Sequence, residues 1–217
     1  MIKASSEDIQ NLKKIIPKNH LIIASSNYTG FRNFLGFVAQ FIVNPIQRLT
    51  GAFYDNKKNY IAHIFTVFWL DDELWVGEMD KKETWKENPI EKSNTFIKLK
   101  KGQIDFFDLG KIEDQKFKDF LEYAKFQKYS ILEAISSLKL FRFLNLFISY
   151  KERFQSNKAH CGSVFLKYKP FHKVFKITGK EFFRKYKTHH PEAIDHYLIR
   201  NFDQKIVKVK RKKIQWS

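Results

Sequence analysis

The chain carries one cysteine, Cys161, within Ala159-His160-Cys161-Gly162-Ser163-Val164. Far upstream, His63 lies in Tyr60-Ile61-Ala62-His63-Ile64-Phe65, and Glu78 ends the run Trp75-Val76-Gly77-Glu78. A thiol, an imidazole and a carboxylate are the groups that cysteine-based nucleophilic catalysis needs. The thiolate is the reactive species, the imidazole generates it, and a third polar group fixes the imidazole. Their order along the chain excludes nothing, because triads are defined by geometry and role. Each residue also has a plainer use. A lone cysteine commonly packs as an inert small hydrophobe. A strand histidine can bond a backbone carbonyl, and a hairpin carboxylate can pair with a lysine. Asp80, two positions beyond Glu78, competes with it on the same strand face.

Other polar groups carry weaker signals. His160 adjoins the cysteine, but neighbouring side chains at a helix start diverge, which makes it a bystander or a rim residue. His189, His190, Glu192, Asp195 and His196 match no close metal-ligand spacing and read as a solvated polar segment around Pro191. No metal and no other cofactor is expected. The tail Lys205-Ile206-Val207-Lys208-Val209-Lys210-Arg211-Lys212-Lys213 offers Lys208, Lys210, Arg211, Lys212 and Lys213 as anion contacts, or reads as an edge strand guarded by lysines.

Positioning these groups requires a mixed set of elements. Ser6 to Ile15 reads as a short helix stopped before Pro17. Leu21-Ile22-Ile23-Ala24 is a buried strand. Thr29-Gly30 opens a helix that carries Phe34, Leu35, Phe37, Val38, Phe41 and Ile42. Tyr60 to Leu70 and Leu74 onward form a hairpin around Asp71-Asp72-Glu73. Both faces of the first strand are apolar, so it should be central and covered on both sides. A loop of two or four residues would put His63 and Glu78 on one face, roughly 5–8 Å apart; three or five would separate them. Downstream, Gln103 to Leu109 reads as a strand, Ile112 to Tyr123 as a helix, and Ile131 to Tyr150 as one or two helices. Lys173 to Ile177 is a strand candidate. Thr178-Gly179-Lys180-Glu181 has capping-box spacing and starts a helix toward Tyr186. Lys205 to Lys213 is a final basic strand.

Composition bounds the rest. The 217 residues suit one domain, with a core over about 20–187 and a basic extension over 188–217. With 23 Phe, 9 Tyr and 4 Trp, the core must be built largely from rings. One cysteine excludes an internal disulfide and a Cys-rich zinc site. The excess of 40 Lys and Arg over 23 Asp and Glu gives a charge of +17, which attracts acidic polymers, nucleic acid or an anionic surface. The start of the chain lacks the apolar stretch of a secretion signal, and no run reaches the about 18 apolar residues of a membrane span. A cytoplasmic or bacteriophage-encoded protein is expected. The oligomeric state is not legible.

Taken in order, several segments resemble the circularly permuted NlpC/P60 branch of papain-like thiol hydrolases, the YiiX/YebB-like group. Leu21-Ile22-Ile23-Ala24-Ser25-Ser26 resembles the opening strand of that family, and Phe31 to Thr50 the helix after it. Ala62-His63-Ile64 resembles its small-His-aliphatic strand, and Val76-Gly77-Glu78 its acidic strand, although Gly77 replaces a more usual aliphatic residue. Lys128-Tyr129-Ser130 precedes the cysteine region. His160-Cys161-Gly162-Ser163-Val164-Phe165 resembles the helix start that bears the nucleophile, and Ile177-Thr178-Gly179-Lys180-Glu181-Phe182 the closing helix.

The resemblance implies an α+β, papain-like fold, with a small antiparallel sheet packed against helices. It implies Cys161 as nucleophile, His63 as general base and then acid, and Glu78 as the group that orients the imidazole. A helix N-terminus at Cys161 would favour the thiolate. Tyr129, Tyr60 and Asp80 become pocket candidates. The implied substrates are peptide- or lipid-like: cell-wall peptides, peptide amides or acyl-lipids, cleaved through an acyl-cysteine. Two other classes fit parts of the sequence. One is a basic nucleic-acid-binding protein, and the other an inactive structural protein on the same fold, such as a phage particle component.

Overall fold

The computed structural model describes residues 6–26, 63–79, 84–93, 102–130, 157–186, 189, 191–210 and 213–216. The helix expected after Thr29-Gly30, the one expected over 131–150, and Tyr60, Asp80, Arg211 and Lys212 lie outside the described residues.

Seven strands form one antiparallel sheet: β1 (His20–Ser26), β2 (His63–Leu70), β3 (Glu73–Met79), β4 (Trp85–Pro89), β5 (Gly102–Lys111), β8 (Asp203–Lys210) and β9 (Lys213–Trp216). Their spatial order is β4-β3-β2-β1-β5-β8-β9. The short strands β6 (Lys128–Tyr129) and β7 (Lys158–Ala159) pair separately and in parallel. The described helices are α1 (Ser6–Ile15), α2 (Asp114–Lys125), α3 (Ser163–Lys167), α4 (His172–Phe175), α5 (Gly179–Tyr186) and α6 (Pro191–Asn201). This is an α+β arrangement around an antiparallel sheet, and the sheet is larger than the small one expected.

Alternation along β1 explains the layering. Leu21 and Ile23 enter one core, while Ile22 and Ala24 enter the other. On the second face, Ile9 and Leu12 of α1 and Ile16 just after it pack with Phe65, Val67, Leu74, Val76 and Ile104. On the first face, Ile64, Phe68 and Phe107 meet residues of α2 to α6. The central, doubly covered strand expected at β2 is therefore present.

The ring-rich composition is concentrated in the first core. Phe120 of α2 is fully buried. Ring centroids surround it at 4.5 Å (Phe171), 5.3 Å (Tyr168), 5.4 Å (Trp85) and 5.5 Å (Phe165). Such pairs add about 0.5–1.5 kcal/mol each beyond area burial. They tie α2, α3 and the sheet edge β4 into one block. Gly77 belongs to this block: the Trp85 indole occupies the space a Cβ there would need, and Thr66 Cγ2 would lie 3.1 Å away. The aromatic ring fills the place that an aliphatic side chain was expected to take.

Three expectations are corrected. Lys173 to Ile177 is not a strand: α4 runs over His172–Phe175 and ends at Lys176 in the left-handed region. The buried rings Phe171, just before it, and Phe175 recur at a spacing of four, so the period is helical rather than two. The segment after Pro191 is not solvated. It forms α6, with Pro at the first turn and Ala193, Ile194, Tyr197 and Leu198 buried. The basic strand β8 is not the edge, since it pairs with β5 on one side and β9 on the other. In contrast, Thr178 and Glu181 make the expected reciprocal capping box: Glu181 N–H donates to Thr178 Oγ1 at 3.1 Å, and Thr178 N–H to Glu181 Oε2 at 2.9 Å.

Candidate active site

The β2–β3 hairpin sets the first half of the site. Asp71 and Asp72 both have positive φ (48° and 61°), which suits a two-residue turn that follows strand twist. Leu70 consequently pairs with Glu73, and the ladder runs to Thr66 opposite Gly77. Continuing that register puts Glu78 diagonal to His63 on the same face. The ring nitrogen Nε2 of His63 and Glu78 Oε2 are 2.7 Å apart. The imidazole also stacks on Phe65, two residues along, at 5.8 Å. Only 15% of the His63 side chain and 12% of the Glu78 side chain are exposed, so the pair is poorly screened by solvent.

The second half is a tightly held loop. Parallel pairing of β6 with β7 sets Tyr129 beside Ala159, and Ser130 N–H donates to Ala159 O at 2.8 Å. Tyr129 is half-buried against the core, two residues from the cysteine in register. After Ala159 the chain turns back on itself. His160 N–H donates to Ser163 Oγ at 3.0 Å, and Gly162 N–H donates to His160 Nδ1 at 3.0 Å. His160 is thus a buried brace for the loop, not a rim residue. Gly162 is required by close approach: an added Cβ would lie 2.5 Å from His189 O and 2.7 Å from Ile194 Cδ1. His189 itself is buried beside Phe182 and Phe183.

These two halves bring Cys161 to His63. The cysteine is 8% exposed, and its side chain lies close enough to the imidazole to act on its proton affinity. Since Nε2 is taken by Glu78, Nδ1 is the nitrogen left for Sγ. Burial acts against charge on His63, but the bonds to Cys161 and Glu78 outweigh it and push the pKa up to about 10. The geometry therefore favours an imidazolium held between the Glu78 carboxylate and the Cys161 sulfur. The helix after the cysteine, α3, is only five residues long, and its N-cap is Gly162. Its dipole is a minor aid, and the imidazolium is the main source of positive charge at the sulfur.

The described residues contain no group of three or more His, Cys, Asp or Glu side chains that could hold a metal ion. Of the basic tail, Lys208 and Lys210 lie in β8 and Lys213 begins β9. An open surface cavity of about 590 Å3 lies elsewhere, lined by His20, Asp108, Lys176, Arg200 and Phe202 among others, at the far end of β1 from His63. Among the described residues, no helix is long and apolar enough to cross a membrane.

Sequence reasoning missed α6, which backs the cysteine loop through Ile194. The signal was present as Pro191 followed by apolar residues at positions 193, 194, 197 and 198, but the histidines and acids drew the reading toward a polar segment. No family model, curated protein or solved structure matches the chain.

Proposed function

We propose that the protein is a cysteine-dependent hydrolase or acyltransferase that cleaves an amide or ester bond through an acyl-cysteine, on a papain-like fold of the permuted NlpC/P60 type. One observation carries the reading: a single buried imidazole is bonded to Glu78 at 2.7 Å and also interacts with the side chain of the chain's one cysteine.

The steps follow from that arrangement. The Cys161 thiolate adds to the substrate carbonyl carbon, and the carbonyl π pair moves onto oxygen. On collapse the C–N or C–O bond breaks, and the leaving group takes the proton from His63 Nδ1. The neutral imidazole then accepts a proton from water, or from an alcohol or amine acceptor, as that group attacks the thioester. Cys161 departs as thiolate and His63 is again imidazolium. Glu78 does not transfer a proton; it holds the ring orientation and stabilises its charge. The backbone N–H of Cys161 is the first oxyanion donor. Peptide- or lipid-like acyl substrates follow from the sequence resemblance, and the +17 charge favours those carried on an acidic polymer or an anionic surface.

The test combines reactivity with product. Cys161 should be alkylated by iodoacetamide at pH 7 at least about 10-fold faster than free cysteine, because an imidazole beside the sulfur activates it. A screen on peptidoglycan fragments and lysophospholipids should yield turnover that Cys161→Ala abolishes. Alkylation no faster than free cysteine, together with the absence of any acyl adduct at Cys161, would end the enzymatic reading.

A further inference from the structure

Ser26 closes β1, and the register sets it directly opposite His63 of β2. On the other side of His63, β3 presents Glu78. Three adjacent strands therefore carry Glu78, His63 and Ser26 on one sheet face, with the imidazole in the middle. Register partners in an antiparallel pair hold their Cβ atoms about 4.5–5.5 Å apart. The Ser26 side chain is thus beside the ring that meets Cys161.

Ser26 is wholly inaccessible to solvent, yet its Oγ has no hydrogen-bond partner. Its neighbour in sequence behaves differently: Ser25 Oγ, on the opposite face, donates to the buried Asp195 Oδ1 at 2.5 Å. Thr66 Oγ1, also buried, donates to Ile22 O at 2.8 Å. Buried hydroxyls in this sheet are otherwise supplied with acceptors. A buried hydroxyl without a partner is a standing cost, which an alanine of similar size would remove. Such a group is expected where its partner is absent for most of the cycle.

We infer that Ser26 is a catalytic residue, the second oxyanion donor, whose hydroxyl is reserved for the substrate carbonyl oxygen as negative charge develops on it. The inference rests on the cysteine mechanism proposed above. In the resting protein Ser26 Oγ–H is unpaired. When Cys161 adds to the carbonyl, the oxygen accepts one hydrogen bond from the Cys161 backbone N–H and one from Ser26 Oγ–H. No proton is transferred from Ser26, and no bond to its oxygen forms. A donor that meets its acceptor only in the tetrahedral state lowers the barrier without tightening substrate binding.

This role has an unusual signature, because the burial argument and the catalytic argument point opposite ways. Ser26→Ala should fold with a melting temperature equal to or above that of the parent, since it removes an unsatisfied buried group. With p-nitrophenyl acetate as the acyl donor, the same substitution should slow acetylation of Cys161 by on the order of 100-fold with little change in KM. Iodoacetamide alkylation, which builds no oxyanion, should keep its parental rate. Ser26→Thr, which retains the hydroxyl, should recover part of the acetylation rate. Fast alkylation together with unchanged acetylation in Ser26→Ala would overturn the Ser26 role and leave the cysteine mechanism standing. So would a melting temperature several degrees lower, which marks a structural hydroxyl, or an acetyl group found on Ser26 itself. Slow alkylation and no acetylation of the parent protein would remove both proposals together.

Discussion

Two histidine–carboxylate pairs sit toward opposite ends of β1, and they differ in what surrounds them. His63 meets Glu78 at 2.7 Å, and His20 meets Asp108 through Nδ1 at 2.8 and 2.9 Å. His20 is the first residue of β1, while His63 is level with its last, Ser26, roughly 20 Å along the strand. The His63 pair is enclosed and has a thiol on its other side. The His20 pair is more open, with side chains 21% and 33% exposed, and Asp108 also accepts from Gly110 N–H at 2.8 Å. The same pairing of imidazole and carboxylate thus adjoins a thiol in one place and a strand end in the other.

Substitution should separate the pairs most sharply. His63→Ala should lower the alkylation rate of Cys161 by about 10-fold or more, back toward that of free cysteine, while His20→Ala leaves it unchanged. A rate drop of equal size in both variants would show that the measurement reads folding rather than chemistry. Glu78→Gln should cost less, about 2- to 5-fold, because the ring keeps a neutral hydrogen-bond partner and loses only the charge that holds it protonated. Asp108→Asn should again leave Cys161 unaffected.

The pH dependence of stability follows with a definite sign. His63 is raised from 6.5 to about 10 in the folded protein. It binds its proton more tightly folded than unfolded, so its contribution is fully present below pH 6.5 and is lost as pH rises toward 10. The melting temperature should decline across that window, and the decline should be smaller in His63→Gln. A parent protein whose melting temperature is flat from pH 7 to 10 would contradict the geometry around His63.

The smallest contrast concerns the two tight glycines. Gly77→Ala and Gly162→Ala both force a Cβ into occupied space, at a cost of about 1–3 kcal/mol. Gly77 meets the Trp85 ring, so its variant should lose stability, read by chemical denaturation, with Cys161 reactivity kept. Gly162 meets the His189 carbonyl and Ile194, so its variant should also displace Cys161 and slow its alkylation.

Much of the sheet was legible because it is local. The hairpin needed only the run of β-branched and aromatic residues and the acidic turn around Asp71-Asp72-Glu73. Whether His63 and Glu78 share a face stayed open with the loop length, and the structure settles it by pairing Leu70 with Glu73, which leaves a turn of two residues. The capping box at Thr178 was equally readable, since both partners lie within four residues. Errors arose where periodicity was short or composition misled. His172–Phe175 is too brief to distinguish a period of two from one of four without knowing which rings are buried. The polar residues of α6 concealed an apolar face that only its contact with the cysteine loop reveals. The basic strand was taken for an edge because nothing in its own residues announces the partner on its far side.

The sequence by itself determined the candidate groups, the hairpin that carries His63 and Glu78 and the excess of positive charge, all set by residue type or by the pattern within one hairpin. Tertiary structure alone decided that a thiol 98 positions beyond His63 meets its ring. It also decided that His160 braces the loop and that Ser26 is shut away beside the imidazole without a partner. Those facts depend on how β6, β7, α3 and α6 close around the end of the sheet. Their contacts are long-range, fixed by packing and burial rather than by any pattern within a segment.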